Sequence, residues 1–412
     1  KGSEGLLESF GSPIVIDGVQ ISRDANAMIS GRSGVDLRTI PADNIESVEV
    51  ISGIPSSENS NLSNGLIRVK TKNNLQPKFK TKINPDTKTA SFSNGMTLNN
   101  NTLSYHFNYG YSERDLRESG DEYHRLYGKM NYGKSLLDNK LYTNLAISYM
   151  RFIDDDKPVG TYKLKSYRKG YRSTAALTFD FDADQSTKYH GIFSLNLNRK
   201  KNFKERLVAS QIKIPADTSV TYQNSALTDT ILSYYQGKKS LVGKEWGFQT
   251  KIKRKQNFNF KDQKHQLISG FEIKYDKNTG EGLQIDPLFN YYGAYSPRRS
   301  YSYDNYPSLE QYGFFIQDNI IGQLFSNKYE LMFGLRYDLF NPSLYTSEGD
   351  FLSTAHGNYL CPRFNFRYYF SESFRVRIGS GKSAKSPSLA YLYRPPLQYN
   401  YLSPDSTLIE EL

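Results

Sequence analysis

From about residue 88 onward, large apolar and polar positions alternate along the chain. Leu103, Tyr105, Phe107, Tyr109 and Tyr111 alternate with Ser104, His106, Asn108, Gly110 and Ser112, which puts the five large residues on one face of a strand. Leu141, Thr143, Leu145, Ile147 and Tyr149 repeat the pattern, followed by Leu177, Phe179 and Phe181, then Phe193, Leu195 and Leu197. Trp246, Phe248, Thr250 and Ile252 come next, then Phe271, Ile273 and Tyr275. The series closes with Leu331, Phe333, Leu335 and Tyr337, and with Phe364, Phe366, Tyr368 and Phe370. The pattern predicts about a dozen strands, each near the ten or so residues that a tilted membrane-spanning strand needs. Tight connections such as Asn99–Asn101, Leu137–Lys140 and Ser371–Ser373 alternate with long ones, expected over about 201 to 243, 277 to 309 and 341 to 357. Short turns on one side and long loops on the other are the habit of an outer-membrane barrel. A soluble sandwich or propeller also alternates, but it explains neither the aromatics along the whole outward face nor the lengthening of every second loop.

Residues 1 to about 75 follow a different rule. Ser12–Val19 is a β-branched run ending in Asp-Gly, a strand and a turn. Pro41–Ser47 reads as one helical turn with Pro and acidic residues near its start. It leads into a strand over Val48–Ile51, a long polar turn over Gly53–Gly65 and a last strand over Leu66–Lys72. Together they predict a small α/β domain with little stability of its own. The boundaries expected are a domain over 1–78 and a strand-rich domain over 79–412.

Composition sharpens the membrane reading. Mean hydropathy is −0.64, yet aromatics make up 14% of the chain and Tyr, at 33, outnumbers Phe, at 24. Tyr suits surfaces that are half wet and half apolar, such as the girdles of membrane barrels. No apolar run approaches the 18 residues of a spanning helix, whereas a barrel strand needs outward apolar groups only at alternate positions. The chain opens at Lys1 without a targeting segment, as though in mid-domain. The formal charge of +11 is spread along strands and loops, which argues against a nucleic-acid partner. The lone Cys361 excludes an internal disulfide framework or a multi-Cys metal site.

Several decoys carry no chemistry. Gly379-Ser-Gly-Lys-Ser383 lacks the first glycine of a phosphate loop, since Val376 stands there. His106, His124, His190, His265 and His356 show no ligand spacing, and His106 is expected to point into a wet lumen beside Asn108. No catalytic residues, metal site or cofactor are expected, and the chain is read as no enzyme.

At this point the residues resemble one family, the TonB-dependent receptors of the Gram-negative outer membrane, in a Bacteroidetes-type version. The resemblance rests on Pro13–Val19, Ile45–Val50, Gly53-Ile-Pro-Ser56 and Gly65–Lys72 in the first domain. In the second it rests on Tyr312–Asp318, Phe333–Asp338, Pro362–Phe364 and Gly379–Leu389 with Leu392-Tyr393. It implies an all-β membrane protein, an antiparallel transmembrane β-barrel of 22 strands with its lumen closed by the N-terminal plug. About half of those strands are present. The N-terminal coupling box, the front of the plug and the closing strand are expected to lie elsewhere, because two open strand edges are untenable in lipid. The resemblance also implies active import of a nutrient across the outer membrane, whether iron chelate, haem, cobalamin, oligosaccharide or peptide. The implied partners are a TonB–ExbB–ExbD complex, outer-membrane lipid and a surface lipoprotein as lid. A passive porin or an assembly or secretion barrel is the first rival, and a soluble Tyr-rich glycan-binding protein the second.

The candidate binding residues lie on the long loop after Asp286: Tyr291, Tyr292, Tyr295, Arg298, Arg299, Tyr301, Tyr303 and Tyr306. Exposed Tyr can stack on rings, and Arg can pair with carboxylate or phosphate. An equally weighted reading has these Tyr pack on one another to order the loop. By resemblance, Arg23, Asn26 and Arg32 belong to the plug apex facing the same vestibule, although a polar loop residue is more often structural.

Overall fold

The computed structural model describes residues 14–21, 40–51, 54–60, 66–73, 76–113, 121–156, 162–215, 228–293, 296, 298–305, 307–341 and 357–385. A four-stranded sheet comes first: β1 (Ile14–Ile16), β2 (Val19–Gln20), β3 (Ile45–Ile51) and β4 (Leu66–Thr71), in the order β2-β1-β4-β3. β1 and β4 are parallel, and the other pairs are antiparallel. Asp17 and Gly18 both take positive φ, 49° and 86°, as a two-residue hairpin turn of this hand requires. The helical turn expected over 41–47 is shorter, a 3-10 turn over Ala42–Asn44. The strand begins at Ile45 because the alternating run from there pairs with β4.

The second sheet contains β5 (Lys78–Ile83), β6 (Thr87–Leu98), β7 (Asn101–Glu113), β8 (Glu122–Leu136), β9 (Leu141–Asp156) and β10 (Lys163–Asp182). It continues through β11 (Thr187–Pro215), β12 (Thr228–Phe260), β13 (Gln263–Asn278), β14 (Gly282–Ile285), β15 (Leu309–Leu324), β16 (Asn327–Phe340), β17 (Gly357–Tyr369) and β18 (Arg375–Gly381). These form an antiparallel meander in chain order, β5 to β18, with β14 added beside the upper part of β12. β5 and β18 are its two edges among the described residues.

The segment expected as a loop over 201 to 243 is strand instead. β11 and β12 pair without a break from Thr187↔Gln256 to Pro215↔Thr228, a hairpin far longer than its neighbours. The apolar alternation stops at Leu197 and Trp246, above which Arg199, Lys201 and Lys244 take the outward positions. Backbone pairing needs no apolar face to continue. The connection over 277 to 309 holds β14 and the 3-10 turn Tyr303–Asn305.

The solvent preferences of this sheet are those of a soluble protein turned inside out. Phe107, Leu145, Leu195, Phe248, Phe314, Phe333 and Leu335 are exposed on its outer face. Ser91, Ser104, Asn108, Asn131, Gln249, Gln317 and Arg336 are buried on its inner face. Buried polar groups need partners, and those partners come largely from the small sheet, which sits against the inner wall. No helix among the described residues is long and apolar enough to cross a membrane. A band of outward Phe, Leu and Ile, edged by Tyr149, Tyr171, Trp246 and Tyr337, is what a strand-built span presents to lipid.

Candidate functional site

The turn Ile54–Ser60 is gripped by the inner wall through its backbone. Asn365 Nδ2 donates to Ile54 O (3.1 Å), and Arg363 donates to the carbonyls of Pro55, Ser56 and Asn59. Arg336 reaches Ser57 O (3.3 Å) and Glu58 O (3.4 Å), and Lys251 Nζ also donates to Glu58 O (2.6 Å). Every carbonyl from Ile54 to Asn59 therefore accepts from the wall. Gln317 Oε1 accepts in return from Ser57 N (2.8 Å) and from the Ser56 and Ser57 hydroxyls.

Arg336 is 0% exposed and is held by two carboxylates. Its Nε donates to both oxygens of Asp338 (2.9 Å each), and its Nη2 lies 2.8 Å from Glu272 Oε2. The fixed fork of a guanidinium can satisfy two carboxylates and a carbonyl at once, which the point charge of a lysine cannot. Alternation explains the convergence: Arg336 and Asp338 are the inward partners of the outward Leu335 and Tyr337. Motifs apart in sequence, Tyr312–Asp318, Phe333–Asp338, Pro362–Phe364 and Ile54–Ser56, thus meet at one place.

Glu58 sits beneath this turn with Lys253 Nζ at 2.8 Å. Burial alone would raise its carboxyl, but Lys251 and Lys253, with the Lys253 hydrogen bond and Arg68, outweigh that and hold it down at about 2. A depressed carboxylate stabilises the docked state above its ordinary value of 4.5 and loses that contribution as pH falls toward 2. Acid release of the turn is therefore expected between about pH 4.5 and 2, worth at most about 3 kcal/mol. Proteolytic accessibility of the small sheet measured against pH checks this. Glu58→Gln should lose that part of the acid sensitivity, and an unchanged profile in the variant contradicts the assignment.

A second anchor lies under β8. Lys129 Nζ meets Asp17 Oδ2 (2.6 Å) and also Thr71 Oγ1, while Asp17 accepts from Thr71 N (2.8 Å). Asn108 Nδ2 donates to Asp43 Oδ1 (3.2 Å), and His106 Nε2 stands 3.7 Å from Asp43 Oδ2. His106 does point inward, but it is buried against the small sheet and not in open water. No group of three or more potential metal ligands occurs among the described residues.

The outer loop divides the candidate residues. Tyr291 and Tyr292 meet edge to face at 5.3 Å, with Lys239 Nζ 4.3 Å from each ring centre and donating to Tyr292 Oη (2.8 Å). Arg206 lies 4.7 Å over Tyr291, and Arg298 lies 4.4 Å over Tyr292. This makes a cationic, aromatic cluster on the upper hairpin, with Lys239 buried at its centre. Tyr301 and Tyr303 are buried with Leu241, Leu283 and Ile285 and brace the loop. Arg299 turns back to Ser296 O (2.6 Å). Tyr295, Tyr306, Arg23, Asn26, Arg32 and His356 lie outside the described residues.

Sequence reasoning passed over Arg206 and Lys239, which stand on strands where loop was expected. It also passed over Glu272, Lys251, Lys253 and Lys129. Their only signal was a charge on the polar side of an alternating run.

Outward apolar strands, short turns at one end, long connections at the other and a small sheet docked inside define an outer-membrane β-barrel receptor. A family model described as TonB dependent receptor-like, beta-barrel matches residues 131–407, more than half of the chain, and the chain belongs to that family. No curated protein matches it in sequence. Solved structures share the fold at low identity. The ferric enterobactin receptor PfeA of Pseudomonas aeruginosa, as a point mutant in complex with enterobactin, aligns at TM-score 0.60 and 16% identity over 93% of this chain and 55% of its own. The siderophore receptor PirA of Acinetobacter baumannii gives 0.59 and 15% over 92% and 55%. The ferric-catecholate import receptor Fiu of E. coli K12, in its open form, gives 0.57 and 14% over 91% and 63%. The chain spans little more than half the length of these structures.

Proposed function

We propose that residues 1–78 act as the plug of a TonB-dependent importer whose barrel wall begins at residue 79, and that the docked turn is the part that must let go during transport. The observation that carries this is the run of carbonyls from Ile54 to Asn59, all held by wall side chains. Such a grip is specific, yet it consists of separate polar contacts that water can replace one by one. Force from an inner-membrane TonB–ExbB–ExbD complex would shift the small sheet, whose own core is a few residues around Ile14, Ile21 and Val69.

The cargo we favour is anionic and carries flat groups, as an iron chelate does. Tyr291 and Tyr292 would stack on it, and Arg206 and Arg298 would meet its charge, with the buried Lys239 holding the two rings in place. The enterobactin complex of the PfeA structure supports this choice by fold alone. Haem, cobalamin, an oligosaccharide or a peptide remain the other classes, and a surface lipoprotein is the further partner proposed.

A disulfide lock tests the mechanism in the intact protein. A Cβ at Gly334 would stand 3.0 Å from Ser57 Cβ, within about 1 Å of the separation a disulfide prefers. With Cys361→Ser in the background, Ser57→Cys with Gly334→Cys is expected to abolish uptake when oxidised, to keep surface binding of ferric chelate, and to regain uptake on reduction. Undiminished uptake by the oxidised protein would revive the passive-pore reading.

A further inference from the structure

The inner wall carries a column of lysines whose partners come from the small sheet. Lys251, Lys253 and Lys255 take successive inward positions on β12, about 6.7 Å apart along the strand. Lys274 stands beside the top of this column on β13, opposite Gln249. All four line one cavity of about 350 Å³ between β11, β12, β13 and the small sheet.

Three of these ammoniums donate to groups that would leave with the docked turn and its sheet. Lys251 Nζ donates to Glu58 O (2.6 Å), and Lys253 Nζ donates to Glu58 Oε2 (2.8 Å). Lys274 Nζ donates to Gln20 Oε1 (2.6 Å) and to Ser60 Oγ (2.8 Å). Lys255 forms no ion pair among the described residues. Asp180 acts on it at longer range and is itself held by His190 at 2.7 Å.

The wall alone answers these charges poorly. Among the described wall residues that line the cavity, Glu272 is the one carboxylate, and Arg336 (2.8 Å) and Lys274 (3.2 Å) share it. Arg68, which faces the cavity from the small sheet, is matched within that sheet by Glu49 at 2.7 Å. Glu58 is therefore the counter-ion of the column, and it belongs to the part that moves.

A buried cation that loses its acceptors is strongly disfavoured unless another anion takes their place. When the turn lets go, Lys251, Lys253 and Lys274 lose acceptors together and at one place. A ligand with several negative groups spread over roughly 6–7 Å can bridge neighbouring positions of the column, and a neutral ligand cannot.

We propose that Lys251, Lys253, Lys255 and Lys274 form a second cargo site on the inner wall, selective for a multiply anionic ligand, which Glu58 occupies as a stand-in until the turn is withdrawn. The site rests on the reading of that turn as the part that lets go, and it deepens that reading. The departing carboxylate and the arriving anion exchange places, so the lysines are never left without a counter-ion.

Citrate is the probe, titrated by calorimetry against the intact protein in nanodiscs. Glu58→Ala removes the carboxylate while the turn keeps its backbone contacts. E58A is expected to bind citrate at least about tenfold more tightly than the unmodified protein, and E58A/K253Q/K255Q should return to weak binding. Any binding at the outer loop is common to all the variants and cancels. K264Q added to E58A, inward on β13 but outside this cavity, should change nothing. Acetate, with a single charge, should bind E58A far more weakly than citrate.

Three results overturn the proposal: equal citrate affinity with and without Glu58, full binding by the triple variant, or acetate binding that matches citrate. If E58A does not fold, Glu58→Gln keeps the side-chain shape and is held to the same order of affinities. The disulfide-locked protein separates this site from the reading beneath it. Uptake by the oxidised protein refutes the moving turn, whereas a locked protein that fails to import, beside an E58A protein indifferent to citrate, refutes the lysine column alone.

Discussion

Replacing Arg336 by Met is expected to be the most damaging single change in this wall, costing about 3–5 kcal/mol. The arginine is 0% exposed and bonded to Asp338, Glu272 and two carbonyls of the docked turn. Its loss leaves two buried carboxylates near each other, with Lys274 (3.2 Å) and Gln249 (3.3 Å) beside Glu272 and Gln311 (3.0 Å) beside Asp338 as their remaining partners. The cost arises from stranded charge more than from lost attraction, which yields a second expectation. The triple change R336M/E272Q/D338N should recover part of the stability, because an ion cluster replaced as a whole is often tolerated. Arg336→Lys should fall between them, keeping charge but losing the fork. Denaturant melts and protease sensitivity of the small sheet report both effects. A stable, protease-resistant Arg336→Met protein would remove the cluster from any structural role.

Phe333→Arg gives the second large effect, and its direction separates a lipid-facing wall from a water-facing one. Phe333 is 55% exposed and lies midway between the outward Tyr329 and Tyr337. On a soluble sheet so exposed a position tolerates Arg within about 0.5 kcal/mol. At the midplane of a bilayer the same change costs about 2–4 kcal/mol. Refolding equilibria in lipid should show the larger value, whereas Tyr337→Arg, nearer the interface, should cost about 1 kcal/mol or less. Equal costs at both positions would contradict a depth-graded environment.

Much of this architecture is legible in the alternation itself. The face occupied by Phe107, Leu145, Leu195 and Phe333 follows from side-chain period alone, because a single slip of register would bury every one of them. The residues opposite are legible only as polar. Nothing in a one-dimensional pattern tells whether Lys251 meets water, ligand or Glu58, because its partner is 193 positions away.

The hairpin above Leu197 was illegible for a related reason. Alternation is written by contact with a continuous apolar medium, and above that band the chain can pair as a strand without recording it. Of the aromatic loop, clustering was visible but not the division of labour. Tyr291 and Tyr292 frame cations, whereas Tyr301 and Tyr303 fill a small core with Leu241 and Leu283.

Trp246 tests the central claim most directly, since it is the only tryptophan in the chain and stands at the upper rim of the outward band. In lipid-reconstituted protein, quenching of its fluorescence by acyl chains brominated at graded depths should be strongest for bromines near the head-group end, with little quenching by aqueous iodide. Efficient quenching by iodide with none from brominated chains would place that face in water and end the membrane account.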